Sequence, residues 1–254
     1  MKNIVALIAL SLSLILTSCQ FSEHIYVNED GSGTMKFSMD ASEMMEMVAE
    51  MGGGESTKGM DKAMDSTIVF KDFIDEHRDS ILTLSVDEQK KIRALEDFKM
   101  HMVMNPESKT MVFDLSTKFD TANELQDMFK AMSQAGELSK QGAESPGGNP
   151  LASMGDDGAT DVEYSFNGTV FKRSAKIIDQ EKHAQAVDSL GQSAMMFGSS
   201  KYTIKYHFPR PIKSVSKEGA LYSEDRKTVT LEVGFLEVLK DPELLDFEVT
   251  LEDK

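Results

Sequence analysis

The sequence predicts an α+β fold, a largely antiparallel sheet built from hairpins with helices packed on one face. Three observations carry this. Apolar and polar residues alternate with period two through many short segments. Turn residues separate those segments, with Asn167-Gly168 the strongest hairpin signal among them. Capping signals of the Asp/Ser/Thr-x-x-Glu kind open helices directly after the first two hairpins. With 254 residues, 40 % of them hydrophobic, the chain can bury a real core.

In chain order, His24 to Asn28 reads as a strand, Asn28 to Gly33 as a turn, and Thr34 to Met39 as the return strand with Met35, Phe37 and Met39 on one face. Asp40 to Glu43 caps a helix whose apolar stripe is Met44, Met47, Val48 and Met51. A polar stretch from Gly52 leads to about Asp65. Ile68 to Ile81 fits helix and strand equally, and Ser85-Val86-Asp87-Glu88 caps a helix with Ile92 and Leu95 inward. A second hairpin follows: Phe98 to Met104, with Met100, Met102 and Met104 on one face, then Thr110 to Phe119. Thr121 to Glu124 caps the next helix, with stripe Leu125, Met128, Phe129 and Met132. The order strand, turn, strand, capped helix occurs twice, which a weak duplication or the commonness of the unit explains equally. The last third is β-rich: strands at 162–166, 169–178, 202–208 and 228–233, shorter ones near Ser214 and Leu221, and a closing strand from Phe247 to Leu251. Helices are expected after Asp179 and over Phe235 to Lys240. The domain plan is then a leader over 1–18, two hairpin–helix units with a helical insert over 19–138, a flexible linker over 139–160, and a β-rich part over 161–254 forming one composite domain with the first.

The leader has a pattern of its own. Met1-Lys2-Asn3 carries one positive charge, and Ile4 to Leu16 is apolar apart from two serines. That run is short for a bilayer span and matches a signal peptide. Leu16-Thr17-Ser18-Cys19 follows, and Cys19 is the chain's one cysteine, so no internal disulfide can form. These residues resemble the lipobox of bacterial lipoproteins. The resemblance implies cleavage between Ser18 and Cys19, a thioether-linked diacylglycerol on Cys19, and acylation, for example with palmitate, of the new amine. Two or three acyl chains hold a protein stably on a membrane. Position 20 is not Asp, so the expected location is an outer-membrane lipid anchor facing the periplasm, with surface exposure as the alternative. Gln20 to Glu23 read as a short tether, with the Asn28–Gly33 turn pointing away from the bilayer.

The segment from Tyr202 to Leu251, with Phe208-Pro209, Ile212-Lys213-Ser214-Val215, Val229-Thr230-Leu231 and Asp241-Pro242, resembles the C-terminal half of uncharacterised Bacteroidetes-type envelope lipoproteins. Together with the turn just after Cys19 it is faintly similar to the LppM lipoproteins of mycobacteria. The resemblance covers the start and the last fifty or so residues of the mature chain and implies a lipid-interacting role; no binding residue is carried over.

The chemistry searched for in the residues is sparse. A net charge of −16 without a basic block opposes nucleic-acid binding, which depends on Lys and Arg neutralising phosphates. Met100, His101, Met102 and Met104 would suit Cu(I), but alternation puts His101 on the face opposite the methionines, and a packed Met face is preferred. The five histidines have no zinc spacing, and no hydrolase elbow is present. No catalytic, cofactor or metal residue is therefore assigned, and no cofactor is expected. Asp65-Ser66-Thr67 resembles an O-glycosylation triplet, which makes Ser66 the candidate modification site. The expected function is a membrane-anchored lipoprotein in a non-enzymatic binding or structural role. Its partners are the membrane through Cys19 and an unidentified protein or lipid. A lipid carrier with a Met-lined cavity and an enzyme with a spatially assembled site are the alternatives.

Overall fold

A computed structural model describes residues 19–43, 45, 62–126, 159–191, 194 and 197–253. The leader, the stripes at Met44 to Met51 and Met128 to Met132, and nearly all of both expected linkers lie outside the described residues.

Among the described residues, twelve strands form two sheets. β1 (Gln20–Val27), β2 (Gly33–Asp40), β3 (Met64–Val69), β4 (Lys99–Asn105), β5 (Thr110–Phe119), β8 (Lys201–His207), β10 (Leu221–Tyr222) and β11 (Thr228–Gly234) make an eight-stranded sheet in the order β10-β11-β8-β1-β2-β5-β4-β3. β6 (Thr160–Phe166), β7 (Val170–Ile177), β9 (Ile212–Val215) and β12 (Phe247–Leu251) make a four-stranded sheet in the order β6-β7-β12-β9. Helices are α1 (Phe70–Glu76), α2 (Arg78–Ile81), α3 (Val86–Arg93), α4 (Gln180–Ser189) and α5 (Phe235–Lys240), followed by a 3₁₀ turn over Pro242–Leu245. The class is α+β and mostly antiparallel, as the patterning predicts. The parallel pair is β1 on β8, running Gln20↔Lys201 to Tyr26↔His207.

The hairpins arise where the turn chemistry places them. Asp30 accepts hydrogen bonds from the Ser32 backbone N–H and hydroxyl, and Gly31 takes φ +87, which a side chain rarely tolerates. The two hairpin units lie side by side, because β2 pairs with β5 from Gly33↔Phe119 to Asp40↔Val112. The Ser85 capping box forms as read, with Ser85 Oγ accepting from the Glu88 N–H and Glu88 accepting from the Ser85 N–H. Asp179 likewise caps α4 through the Lys182 N–H.

Two readings change. Gln20 to Glu23 are not a free tether: they are the first half of β1, with Phe21 and Glu23 buried. The stretch from Ile68, which fits helix and strand equally, begins inside β3, a sheet-edge strand that starts at Met64 and is held by pairing with β4 from Met64↔Met104 to Val69↔Lys99.

The core lies between the sheets. Phe171 on β7 meets Tyr206 and Phe208 edge-on, each at 5.5 Å between ring centroids, and Tyr206 packs on Phe247 at 5.4 Å. Phe21 stacks on Phe235 of α5 at 4.1 Å, so that helix closes the Cys19 end of the sheet. Met35, Phe37 and Met39 are buried, as is Met104. Met100 and Met102 are only half-buried, because β4 lies one strand from the sheet edge.

Candidate functional site

Alternation on β1 sends odd-numbered side chains into the core and even-numbered ones onto the other face of the sheet. Each set builds a distinct polar arrangement.

Inside, Glu23 shares its face with Phe21, Ile25 and Val27 and is fully buried. Its carboxylate accepts three tyrosine hydroxyls: Tyr164 at 3.1 Å from β6, Tyr202 at 2.8 Å from β8, and Tyr206 from β8. Arg173 on β7 is also buried, stands over the Tyr164 ring at 5.8 Å, and reaches Asp246 Oδ1 at 3.7 Å. Burial, reinforced by the Glu23 charge, pushes the Tyr164, Tyr202 and Tyr206 hydroxyls well above their ordinary pKa. Burial alone would lower the Arg173 pKa, but Tyr164, Tyr206 and Glu23 outweigh it and the net shift is upward. The hydroxyls therefore stay protonated and donating, and the guanidinium stays charged. The cluster joins both sheets and sets the buried Glu23 carboxylate and Arg173 guanidinium together, with the Asp246 carboxylate at its margin, so a polar lock fixes how the sheets face each other. Its burial suits it to holding the fold rather than to transferring protons to an outside substrate.

Cys19 stands one residue before β1 and is buried and free. Burial, with Glu43 and Asp40 nearby, raises its thiol pKa. Both ladders of β1 begin at Gln20, paired with Asp40 on one side and Lys201 on the other, so Cys19 makes no ladder pair.

On the other face, the register of five neighbouring strands lines side chains up in rows across the sheet. The row farthest from Cys19 is Thr228, His207, Tyr26, Thr34 and Lys118. Next comes Thr230, Lys205, His24, Lys36 and Ser116, extended by Lys99 on β4. The acids of this face stand in the two rows nearer Cys19: Glu232 and Asp114 in one, Asp40 in the other, with Asp65 at the β3 edge. The Tyr26 ring stacks on His207 at 4.1 Å and is 45 % exposed, while His24 lies 6.1 Å from His207. Burial, and then the Lys205 charge, lowers the pKa of both His24 and His207. Lys36 pairs with Asp114 at 2.9 Å, and Asp114 also accepts from the Ser38 hydroxyl at 2.5 Å. Burial would raise the Asp114 pKa, but Ser38 and Lys36 hold it low.

Of the residues singled out in the sequence, Ser18 lies outside the described residues. Ser66 stands on β3 opposite Met102, half-buried in a strand rather than in a loop, and its neighbour Asp65 is engaged by His101 Nε2 at 2.9 Å. Among the described residues no group of three or more His, Cys, Asp or Glu side chains is arranged to hold a metal ion. No described helix is long and apolar enough to cross a membrane. The Glu23 cluster is absent from the sequence reading, although Phe21-x-Glu23-x-Ile25-x-Val27 places an acid on an apolar face and Tyr202 and Tyr206 sit on the apolar face of β8.

No family model and no curated protein matches the chain. Among solved structures, the NMR structure of the folded domain of LppM from Mycobacterium tuberculosis is similar at a TM-score of 0.37 and 8 % identity, covering 94 % of this chain and 95 % of that one. At that distance the likeness lends nothing to the function, which is read from the chain's own residues.

Proposed function

We propose that this chain is a lipid-anchored envelope lipoprotein, cut between Ser18 and Cys19, lipidated on Cys19, and held on the outer membrane facing the periplasm in a non-enzymatic binding role. The observation that carries the reading is where the fold begins. β1 starts at Gln20, one residue after the lipobox cysteine, and Phe21 and Glu23 are already core. A mature chain beginning at Cys19 therefore keeps every strand among the described residues. Cys19 stands ahead of both β1 ladders, so acyl chains on its side chain would leave from the end of the sheet rather than from within a strand pair. A thiol buried at the sheet end is a poor nucleophile, so this reading has lipid transfer act on Cys19 before β1 closes over it. With no tether left, the sheet end rests against the headgroups, and the Asn28–Gly33 turn stands about 25 Å away, at roughly 3.3 Å per strand residue. The inner methionines Met35, Met39 and Met104 are taken up by core packing, which favours the binding role over the carrier alternative.

Cell fractionation tests the anchor. Wild-type protein is expected in the membrane pellet and released only by detergent. Cys19→Ala is expected as uncleaved precursor or soluble product, with its fold unchanged by circular dichroism. Cys19→Ala that has lost its leader and still shows detergent-dependent membrane association equal to wild type contradicts the proposal.

A further inference from the structure

We propose that the half of the outer sheet face farthest from Cys19 binds an acidic glycan, a sugar chain bearing carboxylates. The inference names a partner for the binding role above and uses the anchored orientation only to place that partner away from the bilayer.

The first support is charge segregation. Lys205, His24 and Lys36 stand directly opposite one another on three adjacent strands, with Lys99 beyond Ser116; the next row holds His207, Tyr26 and Lys118. Neither row contains an acid, in a chain with 43 Asp and Glu against 27 Lys and Arg. Like charges opposite each other weaken a sheet, so folding does not ask for this row. An anion lying across it relieves the repulsion. The strand acids Glu232, Asp114 and Asp40 stand on the Cys19 side, which directs an anion to the far rows, although Asp225, in the turn before β11, acts on His207. Lys36 shares its charge with Asp114, whereas Lys205, Lys99 and Lys118 have no acidic partner among the described residues. The lysines also disfavour the rival reading of His24 and His207 as metal ligands, because they repel a cation.

The second support is shape. With strands about 4.8 Å apart, Lys205 to Lys99 spans four spacings, roughly 19 Å, which a chain covers and a single small anion does not. The exposed Tyr26 ring beside these cations offers an apolar platform for the C–H face of a sugar.

Histidine protonation tunes the site. His24 is faced by Lys36, Lys205, His207 and Asp114, and His207 by Lys205 and Asp225. With their pKa values lowered, both rings are neutral at pH 7.5; a bound anion favours their protonated forms as the pH falls, where a carboxylated glycan remains anionic. Binding is therefore tighter at the lower pH and takes up protons.

The test titrates detergent-solubilised protein with oligogalacturonate, and in parallel with a neutral maltooligosaccharide, a single-stranded oligonucleotide and phosphatidylglycerol vesicles. Oligogalacturonate is expected to bind best, several-fold tighter at pH 5.5 than at 7.5, and more weakly as salt rises. Lys36→Gln/Lys205→Gln is expected to lose at least tenfold in affinity while melting no lower than wild type, and Tyr26→Ser is expected to weaken glycan binding. Lys118→Gln offers a second, single-site loss. The proposal is overturned by no oligogalacturonate binding at pH 5.5 in low salt. It is equally overturned by affinity unchanged in the double variant, or by tighter binding of the oligonucleotide or the vesicles. None of these results touches the anchor, since the titration needs no lipid on Cys19.

Discussion

Glu23→Ala is expected to destabilise the domain by about 3–5 kcal/mol, the range for removing one member of a buried ionic network. The mutation strands the hydroxyls of Tyr164, Tyr202 and Tyr206 in a site sealed between two sheets. It also leaves the Arg173 charge buried without the carboxylate that helps hold it. Each unsatisfied polar group costs its desolvation, and no water replaces the lost oxygens without a path inward. For a domain of this size each kcal/mol lowers the melting temperature by about 2–4 °C, so the drop should be about 10 °C. Thermal and urea melts read it. A shift below about 1 kcal/mol would mean that the tyrosines find other acceptors and that the cluster is not a lock.

Arg173→Met is expected to cost a similar amount by the reverse route, leaving Glu23 as a buried anion without a cation nearby. The more informative experiment combines the two. In Glu23→Gln/Arg173→Met both charges are gone, the tyrosine hydroxyls keep an amide oxygen to donate to, and the methionine fills much of the space of the arginine stem. With Glu23→Gln and Arg173→Met also made singly, the double variant should be more stable than the sum of those two losses by at least about 1 kcal/mol, the signature of coupled residues in a double-mutant cycle. Strict additivity would show that Glu23 and Arg173 stabilise the sheets independently, and the two-sheet lock would then reduce to tyrosine hydrogen bonds alone.

How far the sequence reaches is visible in particular elements. β5, α5 and β12 coincide with the segments read from patterning, because alternation, capping and turn residues are local signals. β3 is missed because Asp65-Ser66-Thr67 has little strand character of its own and gains its conformation from pairing with β4, some 35 residues away. The parallel β1–β8 pair and the second sheet are also illegible. They join residues far apart in sequence, and no local period records which strands become neighbours. Glu23 falls in this gap: taken as part of a tether it looks solvated, and only the placement of β6, β7 and β8 around it makes it a buried acceptor. The Lys205–His24–Lys36 row depends in the same way on register across three strands and is invisible along the chain. Cys19 is the opposite case, since its proposed chemistry depends on the contiguous run before it and needs no fold to be noticed.

The central claim, that the mature protein begins at a lipidated Cys19, is tested most directly by mass spectrometry of the N-terminal peptide from protein extracted from membranes in detergent. The expected peptide begins at Cys19 and carries a thioether-linked diacylglycerol, with its amine acylated. A peptide that begins at any other residue, with Cys19 an unmodified thiol, would contradict it.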